Sequence, residues 1–223
     1  MMGDDGFATR RPPVPGAGAP RSSRLLASSA TIIGRMARTT LTARTRPTSR
    51  ARRRLVAATG VCTLGLFLSL TAKLFVWPAL DPVEGTSADA VLVLGGPGPR
   101  LAVAAALARR HAAPWMLVSV PSVKWNCPHF GVEGVRVVCF RPDPFSTQGE
   151  ARYFGEQAQL HGWRSVVVVS SVAQATRARL RVRRCFPGTV KVVGAPLSPV
   201  VFAYGVVYEW GALAKALLWQ TGC

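Results

Sequence analysis

One long apolar run and a series of short ones divide this chain. Residues 55–72 (LVAATGVCTLGLFLSLTA) carry no charge, and after Lys73 come Leu74, Phe75, Val76 and Trp77. About twenty apolar residues cross a bilayer core. The stretch 55–78 is therefore expected to form one transmembrane helix, with Lys73 snorkelling to an interface. Beyond it, brief apolar runs alternate with longer segments of helical character. Strands are predicted near 89–95, 115–120, 135–140, 165–171 and 189–194. Helices are predicted near 100–111, 147–161, 172–186 and 199–219. Pro114, Asp143-Pro144 and Pro187-Gly188 punctuate them. Residues 165–171, with four consecutive valines, are the clearest strand.

This alternation predicts an α/β fold: a Rossmann-like three-layer domain over 88–223, with a mostly parallel sheet of about five strands, preceded by one transmembrane helix. Residues 79–87 read as a short polar linker with Pro82 and Gly85. Residues 200–219 are apolar enough for a second span, but Tyr204, Tyr208, Glu209 and Lys215 interrupt them. An amphipathic helix packed on the sheet is expected there.

Charge gives the anchor a direction. The net charge is +18, and residues 1–54 hold twelve arginines against Asp4 and Asp5. Those residues are otherwise rich in Ser, Thr, Pro, Gly and Ala, and are expected to be a disordered cytoplasmic tail. Met36 offers an alternative start. Arg50, Arg52, Arg53 and Arg54 directly precede the apolar run. By the positive-inside rule the N-terminus stays in the cytoplasm and the 88–223 domain is extracytoplasmic, in a single-pass plasma-membrane protein. A cleaved signal peptide is the alternative, but its apolar core is shorter and only Ser69-x-Thr71 resembles a cleavage site. Because so much of the basic excess lies in the tail, the high isoelectric point does not mark the domain as a nucleic-acid binder. The expected partners are the lipid bilayer through 55–78 and a small molecule, with no nucleic acid.

Cys127, Cys139, Cys185 and Cys223 fall in the external domain, where disulfides persist. Cys127 and Cys139 flank a short loop and are expected to pair; a Cys185–Cys223 bridge is a further expectation. No Cys or His spacing points to a metal, and no residue pattern names a cofactor.

In open α/β sheets the ligand lies beyond the C-terminal ends of the strands, and four groups fall there. In the first, the strand 89–95 runs into Gly95-Gly96-Pro97-Gly98-Pro99-Arg100 and a helix. Such a turn can aim backbone N–H groups and a helix N-terminus at an anion. It is neither G-x-G-x-x-G nor a P-loop, and it equally makes a tight turn with no ligand. The second is the loop 119–131, with Ser119, Ser122, Lys124 and His129; His129 reads as a surface histidine. The third is Ser146-Thr147-Gln148-Gly149-Glu150. Thr147-x-x-Glu150 reads as a capping box with Thr147 as N-cap and Glu150 at N3. The functional reading puts Glu150 in the crevice as general base or ligand contact, and the Ser146 hydroxyl on a phosphate. The fourth is Ser170-Ser171 followed by Gln174 and Arg177, which share one helix face. His111 and His161 fall at helix ends, in capping positions.

Together these motifs resemble the YdcF/SanA/ElyC-like family of bacterial envelope proteins. The resemblance spans roughly 88–198. Its anchors are Asp89-Ala-Val-Leu-Val-Leu-Gly-Gly with Arg100-Leu101, then Ser146-Thr147 with Glu150-Ala151, then Ser170-Ser171 leading to Arg177-Ala178. It implies a Rossmann-like pocket lined by Gly95, Gly96, Arg100, Ser146, Thr147, Ser170, Ser171, Gln174 and Arg177, with Glu150 as the catalytic group. The chain departs from the family at Ser119-Val120-Pro121-Ser122, where a Gly-Gly is usual, at Ala151, where Asn is frequent, and at Gln174, where a His is usual. Losing that His removes the most evident acid/base group. Two expectations follow. One is an envelope enzyme or binder acting on a phosphorylated or nucleotide-like ligand in cell-wall or surface-polysaccharide metabolism. The other is a non-catalytic membrane-anchored scaffold with a degenerate pocket.

Overall fold

The computed structural model describes residues 49–122 and 127–223. Of the tail expected over 1–54, residues 1–48 lie outside the described residues, as does the loop residue Lys124, while residues 49–54 are the helical start of the apolar segment rather than disordered chain. Helix α1 is Ser49–Thr71 and continues as a π-helical turn, Ala72–Val76. The domain then runs β1 (Ala90–Val93), α2 (Arg100–Arg109), β2 (Trp115–Ser119), β3 (Arg136–Phe140), α3 (Thr147–His161), β4 (Ser165–Ser171), a 3-10 turn (Val172–Gln174), α4 (Ala175–Cys185), β5 (Thr189–Ala195) and α5 (Pro199–Leu218). All strand pairs are parallel, in the order β3-β2-β1-β4-β5.

The apolar runs are explained by burial on both faces of this sheet. Side chains alternate faces along a strand. Ala90 and Leu92 of β1 point into a core shared with Ala151 and Phe154 of α3 and Ala178 and Val182 of α4. Val91 and Val93 point into a second core with Ala104, Leu107 and Ala108 of α2. Helices on both sides make three layers. The strand order reverses between β1 and β4, and such a switch point opens a crevice above the strand ends.

The opposite end of those strands is clamped. The Asp89 carboxylate accepts hydrogen bonds from the backbone N–H groups of Arg164 (2.8 Å) and Ser165 (2.9 Å) and from the Ser165 hydroxyl (2.9 Å). These bonds, the Arg164 N–H foremost, hold its pKa below the ordinary value despite the opposing effect of burial. Asp89 thus joins the starts of β1 and β4, away from the crevice.

Two local readings are corrected. The segment expected as one helix over 172–186 is a 3-10 turn followed by α4. His161 does not cap α3; Gly162 does, in the left-handed region at φ 68°. The His161 ring instead packs on Trp115 and Trp163.

Helix Ser49–Val76 is long and apolar enough to cross a membrane, and its candidate span is unburied. Its last turn docks on the domain: Phe75 is fully buried, and the Leu74 carbonyl accepts a hydrogen bond from the Thr176 hydroxyl at 2.5 Å. Asp81 pairs with β5, its N–H donating to the Val192 carbonyl and its carboxylate accepting from the Val192 N–H. Two disulfides are formed, Cys127–Cys139 and Cys185–Cys223.

Helix α5 departs from expectation. It meets the 3-10 turn and α4 and buries only Glu209, Leu213 and Ala216, while Val200, Tyr204, Val207, Tyr208 and Leu218 are exposed. It does not lay an apolar stripe on the sheet. By length and composition it also qualifies as a membrane span.

Candidate functional site

A cleft of about 1110 Å³ lies at the switch point. Its floor is the β1–α2 turn, 95–99. One wall comes from Ser146, Thr147 and Glu150 at the start of α3, another from Gln174 and Arg177 around the start of α4. A third comes from Tyr204, Tyr208 and Glu209 of α5.

Glu150 is buried at 4 % exposure. Its Oε1 accepts the Gly95 N–H at 2.7 Å, and the Ser119 hydroxyl also donates to it. Burial raises its pKa above the ordinary carboxylate value; the Ser119 and Gly95 hydrogen bonds and the charges of Arg100 and Arg177 oppose that rise without cancelling it. The capping box expected here does not form. Ser146 is the N-cap, its hydroxyl accepting the Gly149 N–H at 3.4 Å, and α3 begins at Thr147. A turn further in, Glu150 is free of capping and reaches across to Gly95 in the turn after β1. The space between α3 and the preceding turn requires Gly149, where a Cβ would collide with the Pro144 carbonyl.

Arg100, at 4 % exposure, lies beneath the glycine turn. Its guanidinium donates to the Leu94 carbonyl (3.0 Å), the Gly95 carbonyl and Gln174 Oε1 (2.8 Å). Burial lowers its pKa to about 10, against the favourable charges of Glu150 and Glu209. Gly96 sits at φ +123°, and a Cβ there would come 2.9 Å from the guanidinium. The backbone angle requires glycine, and a side chain there would in addition push the guanidinium aside.

Gln174 continues the chain of contacts, its Nε2 donating to Thr147 Oγ1 at 2.9 Å. The same oxygen accepts from Arg177 at 2.8 Å. Arg177 is in turn held by Glu209 through two parallel bonds of 2.7 Å. Burial alone would lower the Arg177 pKa, but the Glu209 carboxylate outweighs it and the net shift is upward. Arg100 and Arg177 are thus linked through Gln174 and Thr147, with Glu209 on Arg177 and Glu150 joined to Arg100 through the Gly95 backbone.

Of the sequence-derived site residues, Gly95, Gly96, Arg100, Ser146, Thr147, Glu150, Ser171, Gln174 and Arg177 line this cleft. Ser170 does not; it is fully buried under the cleft, with no partner for its hydroxyl. Arg100 Nε is the other buried side-chain atom without a partner among the described residues. Ser119, from the 119–131 group, joins Glu150, whereas His129 is exposed and borders a separate hollow. Glu209, Tyr204 and Tyr208 were not foreseen as site residues. Their only sequence signal is a carboxylate inside an otherwise apolar helix, where an unpaired charge would be costly.

The fold and cleft define an α/β protein of Rossmann-like architecture with its crevice at the topological switch point. No family model matches the chain, and no curated protein or solved structure matches it.

Proposed function

We propose that this is a membrane-anchored envelope protein, akin to the YdcF/SanA/ElyC-like proteins, whose extracytoplasmic domain binds and processes a phosphorylated or nucleotide-like ligand in cell-wall or surface-polysaccharide metabolism. Helix 55–78 anchors it in the plasma membrane, with the arginines before it on the cytoplasmic side. The observation that carries the reading is Glu150. It is a buried carboxyl with a raised pKa, in the wall of a large cleft and at the strand ends where α/β ligands sit. A carboxyl whose pKa is raised by burial holds a proton more readily than a surface carboxylate, as a general acid or base requires. The Gly95 N–H is taken by Glu150, that of Arg100 by the Gly98 carbonyl, and Pro97 and Pro99 have none, so an anion would be met by the remaining N–H groups of the turn and of the start of α2.

A second reading, a non-catalytic binding or scaffold module, is favoured by the closure of the polar network. Arg177 is neutralised by Glu209, and Arg100 is engaged by carbonyls and Gln174. Each guanidinium already commits three hydrogen bonds within the protein.

Thermal stability of the full chain in detergent, against nucleotides, S-adenosylmethionine, sugar phosphates and polyprenyl phosphates, separates the two. A ligand at a hundred times its Kd adds about 2.7 kcal/mol. A shift for one class that Glu150→Gln weakens supports the first reading. A folded protein indifferent to the whole panel supports the second.

A further inference from the structure

We propose that α5 lies in the plane of the membrane surface, with its outer face in the bilayer leaflet that α1 enters, so that the cleft opens beside the lipid. The inference rests on the reading that α1 spans the membrane.

Three observations carry it. First, α5 touches α1 at a depth that the anchor itself sets. Trp210 stacks on Phe67 with ring centroids 5.3 Å apart, and its indole N–H donates to Thr71 Oγ1 at 3.1 Å. With the span starting at Leu55, beyond the arginines, Phe67 and Thr71 lie about 18 and about 24 Å along the helix at about 1.5 Å per residue. A hydrocarbon core is about 30 Å thick, so Trp210 sits about 6–12 Å inside its outer edge, close to the depth to which the apolar face of an interfacial helix sinks.

Second, the side of α5 turned away from the domain is apolar apart from Lys215 near its C-terminal end, whose stem can snorkel to the headgroups. Val200, Tyr204, Val207 and Leu218 recur at helical spacing and are 81, 74, 74 and 68 % exposed. Continuity with α1 makes lipid the occupant of this face.

Third, α5 cannot run across the membrane, because both its inner side and its far end are fastened to the domain. Glu209 is locked to Arg177. Just past the helix, the Gln220 carbonyl accepts from Arg181 (2.5 Å) and Arg184 (2.8 Å), and Cys223 is disulfide-bonded to Cys185. A helix held on one side by protein and apolar on the other lies on a bilayer rather than through it. Tyr204 and Tyr208 belong to the cleft wall as well as to this exposed side. An amphipathic molecule in that leaflet therefore reaches the cleft without crossing bulk water.

The test is spin-label accessibility of the full chain in lipid nanodiscs. Labels go on native Cys62, which is exposed on α1, and, in a Cys62→Ser background, on Val200→Cys, Val207→Cys and Leu160→Cys. Leu160 is exposed near the end of α3, at the opposite end from the cleft. The expected result is oxygen accessibility with protection from a water-soluble nickel complex at 62, 200 and 207, and the reverse at 160. Nickel accessibility at 200 and 207 with Cys62 still in lipid overturns the inference and leaves the anchor intact. Protection of 200 and 207 from both reagents also overturns it, because protein then covers the face. Nickel accessibility at Cys62 overturns the anchor reading itself.

Discussion

Glu209 of α5 grips the guanidinium of Arg177 of α4 through two hydrogen bonds of 2.7 Å, both side chains being almost wholly buried. This fork joins the C-terminal helix to the strand-end crevice and decides the charge of the cleft. It is bidentate, the geometry in which arginine–carboxylate pairs are strongest.

Breaking one side of that fork strands a buried charge. Glu209→Gln and Arg177→Gln are each expected to destabilise the protein by about 3–5 kcal/mol. The double variant should lose less than the sum of the two, and a chemical-denaturation cycle on the detergent-solubilised chain measures that coupling. Additive losses would show that the two side chains do not interact.

Two carboxyls should give stability opposite pH dependences. The Glu150 pKa is raised in the fold, chiefly by burial. Its contribution is complete below its ordinary value of 4.5 and is lost as pH rises through the folded value. Glu150→Gln should therefore gain in Tm relative to the parent as pH rises above that point. The Asp89 pKa is lowered, chiefly by the Arg164 N–H. Its contribution is present above 3.8 and is lost as pH falls through the folded value, so the deficit of Asp89→Asn should shrink in acid. Parallel Tm curves for parent and variant would refute the corresponding assignment.

Helices α3 and α4 approach closely at Gly155, where a Cβ would sit 2.6 Å from the Cys185 carbonyl oxygen. Backbone cannot yield as a flexible side chain does. Gly155→Ala should cost about 1–3 kcal/mol through overpacking, although alanine is the better helix former. A neutral or raised Tm would show that the helices separate freely.

The Cys185–Cys223 bridge closes a long stretch that includes β5 and α5, and Gln148 and Arg152 both donate to the Cys223 carbonyl at 2.9 Å. Removing it with Cys185→Ser and Cys223→Ser together should cost about 2–4 kcal/mol. Limited proteolysis should then cut within the freed C-terminal residues, and an unchanged digestion pattern would count against this fastening role.

Much of this architecture was legible because its causes are local. Runs such as Val166–Val169 need two apolar faces, and only a strand covered on both sides supplies them. Pro114 and Pro187-Gly188 end segments through their own backbone restrictions. The helix long and apolar enough to cross a membrane was legible for a similar reason: a long uncharged run declares itself with no partner required. The glycine turn was legible as a turn, but the guanidinium beneath Gly96 was not.

What only the tertiary structure decided are relationships between residues far apart in the chain. Ser146 rather than Thr147 caps α3, which releases Thr147 to Gln174 and Arg177 and Glu150 to Gly95. A capping box and a helix start one residue earlier share the same sequence signature, and the packing of α3 on the sheet selects between them. Glu209 looked like an interruption in an apolar helix until Arg177, distant in sequence, was seen to neutralise it. Periodicity reports which face of an element avoids water, because that is a property of neighbouring residues. It does not report which charge answers which, because pairing depends on how the helices are set across the sheet.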